Sequence, residues 1–333
     1  MEIFRFIRRI YWGSLALVFA FLSIHTLVIR LRSLSDTVLL WVYMIMLALI
    51  WGSSFLMLKY ALEDFAPLQV SSGRMFFAGL VTLPLSLRFV RRIPRETWGA
   101  LILFTLIANI LTTFLTAKAQ LGLGSSTHAT LYTMTPIMTL LVGVLLFRES
   151  WTVKQITGLA IGLAGSVLLA FRGTFLEALN PFALLALLAT LSNGLFTNML
   201  KHSLGKLSTL EIASVSFLLI LPLTSGYLAY SGFFTQALAD QGNLQGVLFI
   251  ATLGLLGNAL ALILLSEIVR ISSPVFASLV MYLVPVVALV LGLLDHESIG
   301  MPQVAALLLV LLGVGIVNWS RTTSRAQQRD KVV

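Results

Sequence analysis

Apolar residues run along this chain in ten blocks, at 38–59, 68–89, 97–116, 126–147, 154–171, 181–201, 209–230, 245–268, 274–294 and 302–319. Each is long enough for a helix to cross a hydrocarbon core of about 30 Å. The polar positions inside them fall at helical spacing. Thr105, Asn109, Thr112, Thr113 and Thr116 share one face of the third block, and Thr190, Asn193 and Thr197 one face of the sixth. Within hydrocarbon a polar side chain costs free energy unless it faces protein or a water-filled cavity, so these stripes point into a bundle. The pattern predicts an all-α polytopic membrane protein.

The blocks also repeat. At an offset of 142, Lys59, Leu62, Leu68, Val70 and Ser72 fall on Lys201, Leu204, Leu210, Ile212 and Ser214. At an offset of 149, Asn109, Leu131, Pro136, Leu140 and Gly143 fall on Asn258, Val280, Pro285, Leu289 and Gly292. The offset then becomes 148, and Glu149, Ser150, Gln155 and Gly165 meet Glu297, Ser298, Gln303 and Gly313. Residues 38–171 and 181–319 are therefore two copies of a five-helix unit. Five is odd, so the copies enter the bilayer in opposite orientations, which is the signature of an inverted-repeat transporter. A linker at 172–180 joins them, with an extension at 1–37 and a basic tail at 320–333.

Composition agrees: 58% of residues are hydrophobic and 11% charged, against about 25% charged in soluble domains. A net charge of +9 would suggest nucleic acid in a soluble protein, but the distribution of the cations decides otherwise. With the start of the first core span in the cytoplasm, Arg30, Arg32, Arg88, Arg91, Arg92, Arg95, Arg148, Lys154, Lys201, Lys206, Arg270, Arg321, Arg325, Arg329 and Lys331 all lie inside. Only Lys59, Lys118 and Arg172 fall outside. Both ends of the core are thus expected in the cytoplasm of a cell whose cytoplasmic (inner) membrane holds the chain. The basic surplus contacts anionic lipid headgroups, and no nucleic acid is expected as a partner. Residues 10–29 are also long enough to span, but crossing would leave Arg5, Arg8 and Arg9 outside. They read as an interfacial or extra-core helix, with an eleventh span as the alternative.

The run Trp51-Gly52-Ser53-Ser54-Phe55, then Lys59, Pro67 and Arg74, resembles the opening of an EamA-type repeat of the drug/metabolite transporter superfamily. The closing pattern recurs as Pro136, Gly143, Glu149, Gly158 and Gly162, and as Pro285, Gly292, Glu297 and Gly313. The second half departs from the opening, with Ser192-Asn193-Gly194 for Trp-Gly-Ser and Ser216 in the place of Arg74. The resemblance implies a ten-helix transporter for small metabolites, often amino-acid exporters in bacteria.

Candidate chemistry follows from polar residues at mid-span. Trp51, Asn109, Thr113, Tyr132, Asn193, Asn258 and Tyr282 are the candidate substrate contacts, through amides, hydroxyls and aromatic walls. Pro136 and Pro285 remove a helical hydrogen bond and are candidate hinges. Arg74, the basic residue well inside a span, either snorkels or pairs with Glu63 or Asp64, or else holds a substrate carboxylate or gates the mouth. Glu267 is the candidate for proton coupling if it faces the cavity. Gly158, Gly162, Gly254, Gly257, Gly313 and Gly315 permit close helix approach, within a monomer or between the protomers of a homodimer.

There is no cysteine, which removes disulfides and thiol chemistry. No deep histidine base accompanies Ser125, and no His-x-x-x-His pair or Walker loop occurs. No enzyme activity, metal or cofactor is expected. The sequence predicts alternating-access transport of a small organic metabolite, with export suggested by the resemblance; flipping of a lipid or lipid-linked sugar is the alternative.

Overall fold

In the computed structural model the apolar blocks become helices; the structure describes residues 35–123, 125–170, 181–239, 241–294, 305–306 and 308–317. In chain order they are α1 (Asp36–Asp64), α2 (Pro67–Arg92), α3 (Arg95–Gln120), α4 (His128–Phe147), α5 (Val153–Leu168), α6 (Pro181–His202), α7 (Thr209–Tyr230), α8 (Asn243–Ile271), α9 (Pro274–Val287) and α10 (Leu308–Val317). Seven of these are long and apolar enough to cross a membrane; α5, α9 and α10 are shorter apolar helices at the positions of the fifth, ninth and tenth predicted spans. No strand occurs among the described residues. The segment 10–29, the linker 172–180, the tail 320–333 and Glu297, Ser298 and Gln303 lie outside them.

The repeat is visible in how the helices meet. The most extensive helix pair is α2 with α7, which are equivalent spans of the two copies. Gly79 lies against Leu221, its own repeat equivalent, and the side chain of Gln69, ten residues earlier, reaches the carbonyl of Ser231, ten residues later, at 3.3 Å. The two helices therefore run antiparallel about a pseudo-twofold point. The pair α5 and α10 does the same. A Cβ on Gly158 would sit 2.9 Å from the Gly313 carbonyl, and one on Gly165, the equivalent of Gly313, would sit 2.8 Å from the Ala306 carbonyl. Any side chain there would force the backbones apart.

Contacts between unlike helices come in matched sets as well. In α1, Gly52 meets Val287 of α9; in α6, its equivalent Gly194 meets Met138 of α4, the equivalent of Val287. Each copy thus inserts its first helix against the fourth helix of the other. The two copies are interlocked and inverted, as the odd helix count requires.

Two further irregularities are shared. Within α3 and α8 the backbone is π-helical over Leu106–Leu111 and Leu253–Leu260, and the 149-residue offset superimposes these stretches. Wide turns of this kind leave carbonyls unpaired in the regular ladder and tend to accompany functional positions. The side chain of Thr112 compensates one of them, donating to the Ile107 carbonyl at 2.8 Å.

The fourth helix of each copy is broken. In α4, the Thr133 and Met134 amides bond back to Thr130 and Leu131 at 3.0 and 3.1 Å, and a new helical run starts at Thr135. Pro136 is therefore not the mid-helix kink the sequence suggested. It sits in a first turn, where a missing N–H costs nothing. In α9 the break falls at Leu279, and Pro285 lies inside the following run Val280–Leu294.

Candidate functional site

A cavity lies where the two copies meet. The open space between its walls, including the part leading outward, is about 650 Å³. That is room for several waters or a small organic solute. Its lining contains four repeat-equivalent pairs: Trp51 with Asn193, Ser54 with Phe196, Ala108 with Gly257, and Tyr132 with Met281. Such pairing is expected of a cavity straddling the pseudo-twofold axis. Ala108, Gly257 and Asn258 come from the π-helical stretches, which place the wall at mid-helix depth.

The remaining wall is unequal. Thr112, Thr113 and Thr116 line the first-copy side, whereas their equivalents are Ala261, Leu262 and Leu265. Arg74 lines it too, and its equivalent is Ser216. The threonine hydroxyls and the cation therefore come from the first copy alone, while the amides Asn193 and Asn258 come from the second.

Local contacts hold these side chains in place. Trp51 Nε1 donates to the Gly257 carbonyl at 3.2 Å, fixing the indole against the π-helical turn of α8. The Tyr132 hydroxyl is hydrogen-bonded to Thr116, while its ring packs edge-on against Phe55 and His128. Arg74 is 8% exposed, and its Nε donates to Asn258 Oδ1 at 2.9 Å. It neither snorkels nor pairs with Glu63 or Asp64. Asn193 lines the cavity, and its buried Nδ2 has no acceptor among the described residues.

Of the sequence candidates, Trp51, Thr113, Tyr132, Asn193 and Asn258 come together on this wall, joined by Arg74. Asn109 and Tyr282 do not. Asn109 is buried with an unpartnered Nδ2 away from the wall. Tyr282 donates its hydroxyl to the Leu159 carbonyl at 2.8 Å and lies over Gly162 of α5. The reason is register. Tyr282 occupies the position of Thr133, one residue past Tyr132, and successive helix positions are about 100° apart. Glu267 also sits elsewhere, accepting from Thr209 at 2.8 Å and from Arg270 at 3.4 Å near the end of α8. Pro136 and Pro285 are not among the lining residues. Pro285, inside its helical run, removes the N–H that would reach the Met281 carbonyl four residues back, whereas Pro136 lies in a first turn just after the break that follows Tyr132; Tyr132 and Met281 are a cavity-lining pair.

The residues missed by type were Phe196, Met281, Ala108 and Gly257. Phe196 and Met281 are the repeat partners of Ser54 and Tyr132, so the offset would have found them; Ala108 and Gly257 are partners of each other, and only their place beside Asn109 and Asn258 marks them.

The EamA-like transporter family is matched over residues 39–171 and 180–319. A protein named S-adenosylmethionine/S-adenosylhomocysteine transporter in Chlamydia trachomatis serovar D is 37% identical over 130 residues, covering 38% of this chain and 40% of its own length. The match thus spans well under two thirds of that relative. An uncharacterized inner membrane transporter of Escherichia coli K12, YedA, is 25% identical over 284 residues, 81% of this chain and 88% of its own. A solved crystal structure shares the fold with a TM-score of 0.65 at 16% identity, covering 85% of this chain and 97% of that one. With both repeats matched, this multi-pass membrane protein belongs to the EamA-like transporter family.

Proposed function

We propose that the chain carries a small organic metabolite, an amino acid or a related compound, across the cytoplasmic membrane by alternating access. One observation carries the reading: the cavity is bounded by matched pairs from two inverted copies. Rocking one copy against the other would open such a site to each face in turn. Trp51, Tyr132 and Phe196 offer flat apolar surface, and Asn193, Asn258 and the threonines offer hydrogen bonds, which suits a solute with an aromatic or apolar part and a polar end. The chlamydial relative's name makes S-adenosylmethionine and S-adenosylhomocysteine the first compounds to try. The cation distribution supports cytoplasmic ends for the core, and export is the favoured direction.

A second reading draws on a groove between α1 and α8. It is lined by Leu49, Ile50, Met57 and Leu256 and shares Ser54 and Gly257 with the cavity. An apolar side opening of this kind would suit flipping of a lipid or lipid-linked sugar. The test for both is the purified full chain in liposomes. Counterflow of the two adenosyl compounds and the common amino acids is measured with and without a pH gradient, beside a lipid-scrambling assay. Counterflow above that of empty liposomes supports transport of metabolites. Scrambling without counterflow would replace it with the flippase reading.

A further inference from the structure

We infer that Arg74 is the receptor for a carboxylate on the transported solute. The inference rests on the cavity being the substrate site. A guanidinium has five N–H donors and no acceptor. In Arg74 the Nε–H is committed to Asn258 Oδ1 at 2.9 Å, and none of the four remaining N–H groups finds an acceptor among the described residues. No carboxylate pairs with it among those residues either. The group is buried on the cavity wall, where an uncompensated charge is costly in a low-dielectric bundle. A cation kept there with no carboxylate partner among the described residues is poised for an anion that arrives.

The surroundings fit that use. A Cβ on Gly257 would stand 3.6 Å from Arg74 Nη2, so the glycine keeps the approach to the guanidinium open. The Asn258 bond fixes the plane of the fork from behind, leaving the Nη edge for two parallel N–H···O bonds to one carboxylate. Asn258 is held in turn by the π-helical stretch of α8. The positive pole exists on one side alone, because the repeat puts Ser216 in the equivalent place. A solute binds, therefore, with its carboxylate toward α2 and its apolar part toward Trp51 and Phe196.

The test uses matched probes that differ at the carboxyl group alone: phenylalanine, leucine and S-adenosylhomocysteine, each beside its methyl ester. Wild type, Arg74→Gln and Arg74→Lys are compared as full chains, by liposome counterflow and by thermal stabilisation in detergent. Wild type should prefer at least one free acid over its ester by about 10- to 100-fold, the scale of a charge-assisted hydrogen-bonded pair. Arg74→Gln should abolish that preference, weakening the free acid far more than the ester so that the acid-to-ester ratio falls to about one, and Arg74→Lys should restore part of it. Carboxylate-selective stabilisation that needs Arg74, seen without counterflow, would uphold this assignment and reject the transport reading. Counterflow that treats acid and ester alike, or a preference that survives in Arg74→Gln, would overturn the assignment and leave the transport reading standing. Absence of acid-selective stabilisation and of counterflow with every probe would overturn both.

Discussion

Gly79 lies against Leu221, the residue that occupies its own place in the second copy. Contact between equivalent positions is what a twofold axis through the α2–α7 crossing produces, and the Gln69–Ser231 hydrogen bond fixes the direction as antiparallel. Cross-linking checks this directly, since the chain has no cysteine of its own. Cysteines at Gln69 and Ser231 should be joined by a short bifunctional thiol-reactive reagent such as a bis-methanethiosulfonate. Cysteines at Gln69 and Glu211, the sequence equivalents, should not, because twenty residues of helix separate Glu211 from Ser231, about 30 Å. Efficient linking of the second pair and not the first would mean that the copies are parallel.

The cavity wall and the packing behind it should separate in mutants. Tyr282→Phe loses the bond to the Leu159 carbonyl and should cost about 1 kcal/mol of stability with an unchanged KM. Asn193→Leu removes a buried amide nitrogen that has no partner among the described residues, so thermal stability should hold or rise while KM increases about tenfold. Melting temperatures in detergent and counterflow kinetics give both readings. A raised KM in Tyr282→Phe, with none in Asn193→Leu, would invert the assignment.

Much of this was legible in the chain before any coordinates. The repeat offsets announced the two copies, and helical spacing singled out the faces of α3 and α6. Five of seven proposed substrate contacts share the wall because their copies share a register. The failures are equally physical. Tyr282 was chosen for its hydroxyl, although the offset already pairs Tyr132 with Met281; position on the helix decides what faces the cavity, and residue type does not. Asn109 and Asn258 are equivalents, but Asn258 of the second copy meets Arg74 of the first, whereas the second copy has only Ser216 in the place of Arg74 to offer Asn109 across the same axis. No periodicity reveals where a helix widens into π turns, since that depends on packing from both copies at once.

At the opposite end of the bundle from Lys59 and Lys118, Glu149 accepts from Lys201 Nζ at 2.6 Å and from His202 Nε2 at 2.9 Å, tying the loop after α4 to the end of α6. Burial pushes the Glu149 carboxyl up, but the hydrogen bonds and charges of Lys201 and His202 outweigh it and hold the group below its ordinary range. A lowered folded-state value means that the stabilisation is complete above the unfolded value of about 4.3 and is lost as pH falls through the folded one. Thermal stability should therefore drop more steeply between pH 5 and pH 3 in wild type than in Glu149→Gln. Parallel curves for the two would show that the contact contributes nothing to the acid limb.

The π-helical stretches give the last prediction. A π turn behaves as one extra residue accommodated within an α-helix, so deleting that residue restores regular bonding and keeps both flanking faces in register. Ile110 lies in the stretch of α3 and off the cavity wall. A chain lacking Ile110 should insert and remain folded, because Thr112, Thr113 and Thr116 keep their face. Transport should nonetheless fall sharply, because the wide turn that sets Ala108 on the wall is gone, and the cavity loses its match to Gly257 in the other copy. Deletion of Leu256 from the equivalent stretch of α8 should do the same, with the added loss of the Trp51 bond to the Gly257 carbonyl. Normal melting temperature with normal counterflow in both deletions would show that the wide turns are incidental to the site.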